Sequence, residues 1–95
     1  MAKLNLKGMI ASAFVGPDKF NGEIRKDEKG VDKVKRVFDV LDLEAEQTTV
    51  FKIKFTADQE EQINKLMRKT CMIVADVGTY NKFNFYNLIS IQAIN

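Results

Sequence analysis

Apolar residues along this chain fall into short alternating runs separated by polar stretches, the pattern of half-buried strands. Leu4, Leu6, Met9, Ile10, Phe14 and Val15 predict a first strand, with a bulge or bend expected where Gly8 interrupts it. Gly16-Pro17-Asp18 ends that strand by turn chemistry. The polar stretch Lys19–Asp32, carrying Gly22 and Gly30, is too long for a tight turn and reads as a long loop or hairpin arm. Val34, Arg36, Phe38 and Val40 then alternate in a second strand over Lys33–Leu43, and a change of phase at Val40–Leu41 suggests a bulge there. Thr48–Phe55 is the cleanest strand, with Phe51, Ile53 and Phe55 facing the core and Lys52 and Lys54 facing water.

Thr56-Ala57-Asp58-Gln59 has the form of a capping box and starts a helix expected to run to Lys69. Asp58, Glu60 and Glu61 lie at its start and Lys65, Arg68 and Lys69 at its end, which suits the helix dipole, and Ile63, Leu66 and Met67 form its apolar stripe. Cys71–Val77 predicts a fourth strand, Gly78–Lys82 a turn, and Phe83–Ile94 a fifth strand. In that last strand Phe83, Phe85, Asn87, Ile89, Ile91 and Ala93 share one face, with Tyr86, Leu88 and Ser90 on the other.

Ninety-five residues, 45% of them apolar and 29% charged, suit a single globular domain spanning residues 1–95. No apolar run reaches the length of a membrane helix and no signal-peptide pattern opens the chain, so the expectation is a cytoplasmic protein without a membrane partner. Cys71 is the single cysteine and histidine is absent, which excludes an internal disulfide, the usual zinc sites and any triad with a histidine base. Cys71 reads as a small hydrophobe at the head of a buried strand. The acids Asp39, Asp42, Glu44 and Glu46 lack the order of a calcium loop, and no glycine-rich phosphate cradle occurs. The expectation is a protein that is not an enzyme and carries no cofactor or metal.

The predicted order is mainly β: five strands with one α-helix between strands 3 and 4. That order is similar to the OB-fold, a Greek-key barrel, and the chain resembles the compact OB-fold single-stranded DNA-binding proteins of bacteriophages and mobile genetic elements. Lys33–Phe55 resembles the second and third strands of that family and Thr56–Lys69 its interposed helix. The resemblance is one of architecture, and the same elements also fit a half-open α+β roll or an SH3-like barrel. It implies a binding face on strands two and three, framed by the loops between strands one and two and between strands four and five.

The net charge of +2 conceals an uneven distribution. Lys19–Arg36 holds seven bases (Lys19, Arg25, Lys26, Lys29, Lys33, Lys35, Arg36) against four acids, an excess of three. Cations that replace phosphate counterions and aromatic rings that stack on bases are what a single-strand binder needs. Under the resemblance, Lys19, Arg25, Lys26, Lys33, Lys35, Arg36, Lys52, Lys54 and Lys82 meet phosphates. Phe20 and Tyr80, with Phe38 or Tyr86, stack on bases. The implied function is coating of single-stranded DNA, favoured over RNA, with low sequence preference, in replication, recombination or transfer of a phage or mobile element, as a homodimer or cooperative array.

Plainer readings stand beside these. The interleaved acids make the basic segment equally an ordinary solvated hairpin; Phe20 fits as a plug at one barrel end, and Tyr80 as a cover over its mouth. Phe51, Phe55, Phe83 and Phe85 read as core from their alternation with polar neighbours. Two other functions suit the same barrel: a module that docks on a host or replication protein through Asp39–Glu46 or the helix, and a virion structural subunit whose strand edges pair between copies.

Overall fold

A computed structural model describes residues 2–94 and shows a closed barrel of five strands with a short helix at one end. In chain order the elements are β1 (Ala2–Pro17), β2 (Lys19–Phe20), β3 (Glu23–Ile24), β4 (Val34–Asp42), β5 (Val50–Lys54), a 3₁₀ turn (Ala57–Gln59), α1 (Glu60–Lys65), β6 (Thr70–Tyr80) and β7 (Phe83–Ala93). The barrel order is β1-β4-β5-β7-β6, while β2 and β3 form a separate hairpin. Among barrel strands alone, the helix lies between the third and the fourth. This is the expected OB barrel.

β1 is long because it serves two neighbours. It pairs with β6 from Ala2 to Met9 and with β4 from Gly8 to Pro17, so the strand passes from one sheet to the other at Gly8 and Met9. A Cβ on Gly8 would stand 2.4 Å from Val40 Cγ1 and 2.9 Å from the Leu41 carbonyl oxygen, so this crossing requires glycine. The bulge itself lies three residues further on. Ile10 faces Val40 and Ser12 faces Asp39, leaving Ala11 as the extra residue. The phase change expected at Val40–Leu41 is absent, because β4 pairs with β5 without interruption from Val37 to Leu41. Leu41 is half-buried on the outer face, and its apolar neighbour Val40 is in the core.

The core is Leu6, Ile10, Phe38, Val40, Ile53, Phe55, Ile63, Cys71, Ile73, Ala75, Leu88 and Ile91, with Leu66 and Met67 packed against it from the helical end. Phe38 meets Phe55 at 5.9 Å between ring centroids. Gln59 fixes the start of the helix: its Oε1 accepts from the Thr56 backbone N–H at 2.9 Å and its Nε2 donates to the Leu88 carbonyl at 3.2 Å. The helix is shorter than its sequence pattern. It stops at Lys65, Arg68 takes a left-handed φ of 62°, and the Arg68 N–H donates to the carbonyl of Ile10, beside the β1 bulge. Turning the chain upward into β6 outweighs the helix propensity of the remaining residues.

Two further expectations are corrected. Gly78 lies within β6, and the turn is the two-residue Asn81–Lys82, both at positive φ (49° and 70°). β7 has its own bulge: Val74 faces Ser90 and Ala75 faces Leu88, leaving Ile89 over. The inward set therefore reads Tyr86, Leu88 and Ile91. Phe83 and Phe85 are exposed where a core position was expected, as is Ile89, which the sequence places on their face.

Candidate nucleic-acid interface

Two arms rise beside the outer face of β4 and β5. The first, between β1 and β4, is folded rather than loose. Asn21 and Gly22 (φ 51° and 82°) turn β2 into β3, and the Asp27 carboxylate accepts from the N–H groups of Lys29 (2.8 Å) and Val31 (3.0 Å) to build a second turn. Its base, just beyond the ends of β1 and β4, is closed by the Asp18 N–H donating to the Lys33 carbonyl and by the Arg25 N–H donating to the Asp18 carbonyl. The second arm is the β6–β7 hairpin, whose tip pairs Tyr80 with Phe83.

The face between the arms follows from strand register. Val37 pairs with Phe14 on β1 and with Lys54 on β5; Asp39 pairs with Ser12 and with Lys52; Lys35 pairs with Gly16. Paired residues point to the same side, so Lys35, Val37, Asp39, Lys52, Lys54 and Phe14 share the outer surface opposite buried Phe38 and Val40. β7 closes onto β5 at Lys54–Asn87 and brings Phe85 beside this surface. The Lys54 ammonium stands 5.3 Å from the centroid of the Phe85 ring.

Two open grooves meet there. The larger, ≈ 500 Å³, runs from Asp18 and Arg25 of the first arm past Lys35 and Lys54 to Phe85 and Asn87. The smaller, ≈ 240 Å³, continues over Val37 and Lys52 to Asn84 and Tyr86. Lys35, Lys54 and Phe85 line both grooves, which makes them the centre of the surface.

The residues singled out from sequence divide into groups. Lys35, Lys52, Lys54 and Arg25 converge on the grooves, with Phe20 (66% exposed) and Tyr80 (66% exposed) on the flanking arms. Lys19, Lys26, Lys33 and Lys82 lie on the arms, where Lys26 faces Asp32 at 3.9 Å. Arg36 lines the larger groove, yet its Nε also reaches Glu60 at 3.4 Å and ties β4 to the helix. Tyr86 borders the smaller groove while packing edge-on against Phe51 at 5.3 Å. Phe38 is fully buried and has no face for a base. Asp39, read from sequence with the acids of the following loop, instead lies among the lysines: it accepts from Lys52 Nζ at 3.3 Å and Ser12 Oγ at 3.2 Å.

Sequence reasoning missed Phe14, Phe83 and Phe85 as surface rings. Phe14 lies over Gly16, where an added Cβ would come within 2.7 Å of the ring. Phe83 is 71% exposed, and a Cβ on Gly78, which pairs with Phe85, would meet no atom within 4 Å. No residue of the chain signals these placements; they follow from the two bulges and the position of the hairpin turn.

No protein-family model matches the chain, and no curated protein matches its sequence. Solved structures do match. Two crystal forms of the mitochondrial single-stranded DNA-binding protein Rim1 from S. cerevisiae superpose with TM-scores of 0.66 and 0.63, at 11% and 15% identity. The alignments cover 98% of this chain and 93% and 95% of the yeast chains. The likeness spans the whole barrel, and with the β1-β4-β5-β7-β6 order it identifies the fold as an OB-fold of the kind those single-stranded DNA-binding proteins use.

Proposed function

We propose that this protein binds single-stranded DNA along the outer face of β4 and β5, with low overall sequence preference and no chemical step. The observation that carries the reading is the meeting of Lys35, Lys54 and Phe85 at the junction of two grooves, flanked by arms that present Phe20 and Tyr80. Lysines replace the counterions of a phosphate backbone, and exposed rings stack on bases whatever their identity. The shared barrel with yeast single-stranded DNA-binding proteins supports the same reading. One small barrel spans only a few nucleotides, so the working form is a dimer or an array along the strand. Coating of exposed strands during replication, recombination or transfer of a phage or mobile element is the setting that suits such a form.

The test is fluorescence anisotropy of labelled oligo-dT, oligo-rU and a matched duplex at about 50 and 200 mM salt. Salt-sensitive binding of oligo-dT, weaker binding of oligo-rU and no comparable binding of the duplex are expected. Failure to bind any of the three at the lower salt would refute the proposal and turn attention to a protein partner.

A further inference from the structure

An aspartate lining a groove meant for a polyanion needs a reason. Asp18 lines the larger groove with its side chain 29% exposed. Its backbone is held at both ends, the N–H donating to Lys33 at 2.9 Å and the carbonyl accepting from Arg25 at 2.7 Å, so its position relative to β4 is set. The carboxylate is less committed. Its nearest cation, Arg25, stands at 4.0 Å, outside hydrogen-bond distance, and among the described residues no hydrogen bond to either carboxylate oxygen is made. The groove therefore holds a positioned acceptor with free lone pairs and a guanidinium beside it, and is lined as well by Asn87 and Phe85.

We propose that Asp18 reads a base stacked at Phe85 and selects one that carries an exocyclic amino group, with cytosine favoured over uracil or thymine. This inference rests on the single-strand reading of the groove. The chemistry is that of base edges. Cytosine offers an N4 amino donor to the carboxylate and two acceptors, N3 and O2, to donors such as Arg25 and Asn87. In the same pose uracil and thymine place a carbonyl oxygen where the amine would be and a donor at N3, so acceptor meets acceptor at the carboxylate and donor meets donor beside it. Phosphate contacts on Lys35 and Lys54 are indifferent to this difference. Asp18 is thus a specificity-determining residue inside an otherwise sequence-tolerant surface.

Oligo-dC and oligo-dU isolate the amine, since their pyrimidines differ only at position 4 and in the N3 proton. We expect the wild type to bind oligo-dC about tenfold more tightly than oligo-dU of equal length, the scale of one charge-assisted hydrogen bond. Asp18→Asn keeps the shape, removes the charge and can donate as well as accept, so it should bring the two affinities together chiefly by strengthening oligo-dU. Equal binding of the two strands by the wild type would overturn the inference and leave the coating function standing. So would a parallel loss for both strands in Asp18→Asn, which would make Asp18 only a support for Arg25. Absence of binding to either strand would instead remove the single-strand reading itself, and this inference with it.

Discussion

Phe85 stands beside the lysine-bearing face with Lys54 near its ring, and its partner across the hairpin is Gly78, which has no side chain to cover it. At 37% exposure, part of the ring is open to a base and the rest is covered by its neighbours. Phe85→Ala should weaken oligonucleotide binding by about 1–3 kcal/mol, the scale of one base stack, with a modest drop in melting temperature and the fold retained. Tyr80→Ala, at the exposed arm tip, should do the same. Titration measured beside thermal melting checks both: a variant that unfolds, or one that binds normally, would remove its ring from the interface. Cys71 is the opposite case, fully buried, with its thiol donating to the Lys69 carbonyl at 3.4 Å. Burial pushes the thiol above its ordinary range, against a smaller opposing effect of the Lys69 ammonium. A folded value above the unfolded one means that the thiol's contribution to stability is intact below the ordinary thiol range and is lost as pH rises through the raised value. Native protein at pH 8 should accordingly alkylate slowly, at a rate that increases with denaturant; rapid labelling of the folded state would contradict this burial.

At the scale of elements, the strands legible in the sequence were those whose alternation is unbroken. Phe51, Ile53 and Phe55 against Lys52 and Lys54 gave β5 both its faces, and the Thr56–Gln59 pattern placed the start of the helix. Bulges are what sequence could not supply. Ala11 and Ile89 are ordinary strand residues, and each reverses the parity of what lies on one side of it, so Phe14 moves to the outer surface and Ile91 to the core. Gly8 drew attention as a bulge because glycine weakens a strand, yet close approach to Val40 is the reason it stands there. The β6–β7 turn was obscured in the same way. Gly78 has the residue type of a turn, whereas Asn81 and Lys82 adopt its left-handed geometry. A lysine in that region is strained by about 1–2 kcal/mol relative to glycine. Lys82→Gly should therefore stabilise the protein by about 1 kcal/mol in chemical denaturation while removing an arm-tip cation, so stability should rise as affinity falls. An unchanged midpoint would show that the turn is not strained.

Over the whole molecule, the net charge of +2 covers local groupings of both signs. Asp42 ends β4 with Glu44 and Glu46 after it, and Asp58, Glu60 and Glu61 gather at the start of the helical segment, while the arms and the face between them carry lysines and arginines interleaved with Asp18, Glu23, Asp27, Glu28, Asp32 and Asp39. Not all of those cations are equally available. Arg25, Lys26, Arg36 and Lys52 have carboxylates within 4.0 Å, whereas among the described residues Lys19, Lys29, Lys33, Lys35, Lys54 and Lys82 form no ion pair. Each cation that meets a phosphate of a single strand releases counterions and contributes about −0.7 to the slope of log affinity against log salt. If these six carry the contacts, the slope is about −4.2, and raising salt from about 50 to 200 mM should weaken binding roughly 300-fold. Lys54→Gln should make the slope shallower by about 0.7, because it removes one contact and leaves the others in place. Lys65→Gln, whose lysine pairs with Glu61 on the helix, should leave it unchanged. A slope near zero in the wild type would mean that phosphates do not meet this face, and equal slopes in the two variants would mean that they meet the molecule elsewhere.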